Sequence, residues 1–76
     1  MDRDPGTPIA TLWTLAWKDD RVTCAVYRRD GALQLRLESG TATILSEPFD
    51  LQPRMLARSR ALRNSLKRRG WHDPPE

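Results

Sequence analysis

The residues best equipped to act on a partner are cations gathered near one end of the chain. Arg54, Arg58, Arg60, Arg63, Lys67, Arg68 and Arg69 follow one another with no acidic residue between them. The formal net charge is only +3, so crowding rather than the total gives this segment its preference for anionic partners. Guanidinium groups at helical spacing can track phosphates or an acidic protein surface. Arg54, Arg58, Arg60, Arg63, Lys67 and Arg68 are therefore the candidate anion contacts, with Arg60, Arg63 and Lys67 expected on one outward stripe. The plain alternative is a solvated helix face, since arginine is a good helix former.

Little else is suited to catalysis. His72 is the single histidine and lies in the stretch His-Asp-Pro-Pro-Glu, where a solvated ring is expected rather than a base or ligand. Cys24 is the single cysteine. It sits mid-strand on an apolar face, the setting of an inert thiol rather than of an activated nucleophile. Asp19-Asp20 is a carboxylate pair, but turns select aspartate for conformational reasons. No serine is paired with a base, and no glycine-rich phosphate loop is present. The chain reads as a non-enzyme with no cofactor, no metal and no small-molecule substrate.

These groups must be held by a very small scaffold. Seventy-six residues, 38% of them hydrophobic and three of them tryptophan, allow one domain with one modest core. At this size burial barely exceeds the ordering entropy, so dimerisation would help. One cysteine rules out an internal disulfide. No stretch approaches the roughly 20 apolar residues that span a bilayer, and no signal-peptide pattern is present. A cytoplasmic location is expected, with no membrane partner.

Residues 1–10, with two prolines and a glycine, read as a flexible N-terminal arm, 11–71 as the domain, and 72–76 as a C-terminal tail. From Thr11 to Glu47 apolar and polar residues alternate with period two, interrupted by Asp19-Asp20, Asp30-Gly31 and Ser39-Gly40. Asp30-Gly31 is the strongest hairpin signal, because both positions tolerate φ > 0. With those pairs as loops, Trp13 and Leu15 face Val26 and Cys24, Val26 faces Leu35, and Leu35 faces Ile44. All then lie on one buried face. Beyond Pro48, Asp50 is the expected helix cap. Leu51, Met55, Ser59, Leu62 and Leu66 fall within about 80° on a helical wheel. Gly70 ends the helix as its left-handed C′ residue, with Trp71 folding back in a Schellman motif. The expected fold is α+β: a four-stranded antiparallel β-meander with one C-terminal α-helix packed on one face (β-β-β-β-α).

That register leaves a second candidate surface. It aligns Leu12, Tyr27, Gln34 and Leu45 across the uncovered face, an apolar strip that would serve as a protein interface. Strands one and four are free edges, and strand four lacks the charge that blunts one. A protein partner or a second copy (a homodimer), met through Leu12, Tyr27 and Leu45 or an edge strand, is the first expectation. Nucleic acid on the basic helix is the alternative.

Leu12-Trp13, Val22-Thr23-Cys24, the run Leu33 to Leu37, and a helix closing on Gly70-Trp71 together resemble a loose group of short bacterial proteins of unknown function. The likeness covers residues 11–71 and implies no mechanism. The order of strands then helix is also similar to three-stranded DNA-binding domains, such as the arm-binding domains of phage-type integrases, whose sheet enters the major groove. The fourth strand here, and outward positions rich in Thr and Ala, depart from that pattern.

Overall fold

The computed structural model describes residues 6–75. Four antiparallel strands, β1 (Thr7–Trp17), β2 (Asp20–Arg29), β3 (Ala32–Ser39) and β4 (Ala42–Phe49), form one sheet in the order β1-β2-β3-β4, followed by a helix, α1 (Gln52–Arg68). The β-β-β-β-α reading of the fold is correct. Leu15, Val22, Cys24, Val26, Leu35, Leu37 and Met55 form the buried core under α1, the inward set that alternation selects. Leu15, Leu35 and Cys24 are wholly inaccessible.

The middle hairpin follows the sequence pattern closely. Arg29 pairs with Ala32, and Asp30 (φ 52°) and Gly31 (φ 79°) supply the two positive φ values of a type I′ loop. Val26 pairs with Leu35 and Cys24 with Leu37, as expected.

The outer hairpins differ. Trp17 pairs with Asp20, so the first loop is Lys18-Asp19 rather than Asp19-Asp20, and Lys18 takes φ 56°. Trp13 consequently faces Cys24, and Leu15 faces Val22. A shift of two residues keeps every side chain on its face, so alternation alone cannot separate these registers. Packing does: in the observed register the Trp17 ring lies 5.8 Å from that of Trp71. The last loop is Gly40-Thr41, with Ser39 paired to Ala42.

Three bulges then change the phase. The β1–β2 register slips between Pro8 and Ala10 and between Thr11 and Trp13, and the β3–β4 register slips next to Leu37. Each extra residue inverts the faces beyond it. In β4 this puts Leu45 opposite Leu37 and Phe49 opposite Leu33. Both pack against the core, while Ile44, expected inside, is 59% exposed. Burying Leu45 and Phe49 removes more apolar area than burying Ile44 alone, which favours the bulged register.

The segment boundaries also change. Residues 7–10, expected in the flexible arm, belong to β1, while residues 1–5 of that arm lie outside the described residues. Strand β4 runs through Pro48 rather than ending there, as an edge strand permits. Leu51, not Asp50, is the N-cap, and it makes no side-chain cap bond. The C-terminal end follows expectation. Gly70 has φ 108°, its N–H donates to the Lys67 carbonyl at 3.1 Å, and the Trp71 N–H donates to the Leu66 carbonyl at 3.1 Å, completing a Schellman motif.

Candidate binding groove

The apolar strip expected on the uncovered face does not form. Leu12 sits in a β1 bulge and packs against the core, as does Leu45. The row through Tyr27 instead reads Pro8, Tyr27, Gln34, Pro48. Of the three interface candidates only Tyr27 looks outward. Its hydroxyl donates to the Glu38 carboxylate at 3.0 and 3.1 Å, and the Arg36 guanidinium lies 4.1 Å from its ring centroid. The Glu38 hydrogen bond, helped by burial, raises the phenol above its ordinary pKa, against a smaller opposing effect of Arg36. The neighbouring rows are Thr11-Ala25-Arg36-Ser46 and Thr14-Thr23-Glu38-Thr43, a mostly polar surface that suits water.

The basic helix is less isolated than its sequence. Arg58 forms a two-pronged pair with Glu47 at 3.0 and 3.2 Å. The β4 bulge turns Glu47 to the helix side, and Glu47 in turn raises the Arg58 pKa. Arg63 and Lys67 both reach Asp73 at 3.2 Å, and Lys67 first, with Arg63 adding, holds that carboxyl below its ordinary pKa. The acids that balance these cations arrive from β4 and from the residues after α1, beyond the reach of spacing rules within one helix. Among the described residues Arg54, Arg60 and Arg68 have no ion-pair partner.

The C-terminal segment is not a loose tail. The Ala16 N–H donates to the His72 carbonyl at 2.8 Å, and the His72 N–H donates to the Ala16 carbonyl at 3.0 Å, an antiparallel bridge on the outer edge of β1. The His72 ring itself stays exposed.

Between β1 and α1 the surface opens into a groove. The helix lies nearest β3 and β4, which leaves room above β1. Along the middle of α1, Leu12, Trp13, Leu56, Ser59, Arg60 and Arg63 line a space of about 280 Å³. Towards the start of β1, Ile9, Ala10, Leu12, Val26, Leu33, Met55 and Leu56, with Arg28 and Gln52, line one of about 220 Å³. The groove is mostly aliphatic, with Arg60 and Arg63 on one part of its rim and Arg28 on the other. Ile9 is 49% exposed and Leu56 37%, two large aliphatic side chains lining one channel.

The floor is fixed by one buried polar group. Ser59, 4% exposed, accepts the Trp13 indole N–H at 2.8 Å, and the Cys24 thiol donates to it at 3.7 Å. Burial pushes the Cys24 thiol above its ordinary pKa, outweighing the Ser59 bond, so this sulfur stays protonated and shielded. Among the described residues no group of three His, Cys, Asp or Glu side chains could hold a metal ion, and no helix is long and apolar enough to cross a membrane.

No family model, curated protein or solved structure matches the chain.

Ile9, Arg28 and Leu56 were not among the site residues that spacing pointed to. Leu56 lies about 100° from the middle of the apolar stripe of α1 on a helical wheel, a lone large aliphatic outside the buried arc. Thr7 and Ile9 are β-branched residues at alternate positions, a strand signal overshadowed by the prolines around them.

Proposed function

We propose that this protein is a small non-enzymatic interaction module that binds a protein partner along the β1–α1 groove and the adjoining edge of β1. The observation that carries this reading is the pairing of exposed Ile9 and Leu56 across an apolar channel beside an edge strand. Exposed aliphatic surface of this kind is costly for a small monomer and is characteristic of interfaces. The test is capture of partners by the tagged protein from its host, with and without nuclease, beside a Leu56→Asp variant. A specific protein that survives nuclease and is lost with Leu56→Asp supports the proposal. Capture that disappears with nuclease overturns it.

A second reading has its own observation. Arg54, Arg60 and Arg68 are exposed and lack acidic partners among the described residues, as phosphate contacts would require. Binding of short DNA or RNA that weakens with salt, with a shallower salt dependence in the doubly substituted Arg54→Ala, Arg60→Ala protein, would favour it.

A further inference from the structure

The bridge between Ala16 and His72 shows how β1 accepts a neighbour. Ala16 turns both its N–H and its carbonyl away from β2 to meet His72. In an antiparallel ladder such residues alternate, so Thr14 turns its own backbone groups to the same side. A strand continuing antiparallel past His72 would set Pro74 opposite Thr14. Proline has no N–H to give, so self-pairing stops after one bridge. Among the described residues no backbone group meets Thr14 on that side.

The same bridge shows what chemistry suits the site. Asp73, one residue beyond His72, lands on the helix side and is held by Arg63 and Lys67. One turn earlier on α1, Arg60 lines the groove with no ion-pair partner among the described residues. Further along β1 the lining becomes mainly Ile9, Leu12, Leu33 and Leu56, with Arg28 and Gln52 at its rim.

Resting on the protein-binding reading, we infer that the outer edge of β1, from Thr14 towards Thr7, takes an extended segment of another protein as an added antiparallel strand. The segment carries a carboxylate that meets Arg60, followed at the next same-face positions by large aliphatic side chains that enter the channel between Ile9 and Leu56. Backbone pairing supplies affinity, and alternate side chains supply specificity. A second copy of this chain is disfavoured as the occupant, because pairing β1 with β1 would set the Arg28, Arg60 and Arg63 groups of the two copies against one another.

The test uses the full isotope-labelled protein and two synthetic peptides of equal composition. In one, alternating positions read Asp, Leu, Val between threonines, and in the other the order is reversed. Titration to about 1 mM should move the amide signals of Thr11, Thr14 and Arg60 saturably with the first peptide. The reversed peptide, and the first with Asp replaced by Lys, should bind at least about tenfold more weakly. Thr14→Pro should weaken binding by a similar factor, with its fold checked by the near-ultraviolet signal of Trp13. Leu56→Asp, an exposed change that leaves the edge backbone intact, should do the same. The inference is overturned by absence of saturable shifts, by equal binding of the two orders, or by sedimentation as a dimer that buries these residues. If the peptides fail while a nuclease-resistant partner is still lost with Leu56→Asp, strand addition falls and the binding-module reading survives. If that partner is also absent, both fall.

Discussion

The two ends of β1 share one strand and one neighbour but differ in what the chain returns to cover them. At the Ala16 end, α1 closes on Gly70, Trp71 meets Trp17, and His72 pairs with the strand edge. Asp73 then ties that crossing to Arg63 and Lys67. At the Thr7 end two bulges bend the strand, nothing among the described residues pairs with its outer edge, and Ile9 faces solvent. The difference teaches that an edge can be closed by a specific return of the chain at one end, while at the other no described residue takes that place.

Substitutions can break or sharpen that contrast. Leu35→Ala, in the core beneath both ends, should cost about 3 kcal/mol in urea denaturation and unfold them together, since a domain this small melts as one unit. Trp71→Ala should cost about 2 kcal/mol, and hydrogen exchange should show lost protection at the Ala16 amide with little change near Thr11. Equal losses at the two sites would mean that the ends are not separable. Lys18→Gly should stabilise the protein by about 0.5 kcal/mol, because φ 56° is strained for lysine and not for glycine. Thermal melts should show that gain, while titration with the first peptide should show no change in binding at the open end.

The smallest effect is one of pH. Asp73 has its carboxyl pKa lowered by Lys67 first and Arg63 second, so the folded form prefers the ionised acid. Its contribution is complete above the ordinary aspartate pKa and is lost as pH falls through the lowered folded value. The Ala16 amide shift should therefore move towards an undocked value only in that acidic window, and Asp73→Asn should remove the transition. A midpoint at or above the ordinary aspartate value would contradict the ion pairs.

Much of this was legible in the sequence. Asp30-Gly31 fixed the central hairpin, because a two-residue loop with two positive φ values leaves one register. Helical spacing placed Ser59 within the inward stripe of α1, and the structure buries it there. Gly70-Trp71 announced the helix end through backbone freedom and a bulky follower. The outer strands were less legible. Moving a loop by one residue shifts every partner by two and leaves alternation intact, so Trp17 was placed correctly by face and wrongly by partner. Bulges leave no local mark, since they follow from which large residues the core accepts, and Leu12, Ile44 and Leu45 were misplaced for that reason. The candidate site was hidden by the same misplacement. Asp73 and Glu47, far along the chain from the cations they meet, were out of reach of helical spacing.

The β4 bulge also bears on how the gene can change length. Thr43 looks outward opposite Glu38, Leu45 looks inward opposite Leu37, and Ile44 is the surplus residue between them. Losing the Ile44 codon would restore uninterrupted alternation without moving a single partner, whereas an added codon elsewhere in β3 would invert every side chain downstream. The shortened chain should fold, but with a straighter outer border on β4 and so a greater tendency to stack into fibres.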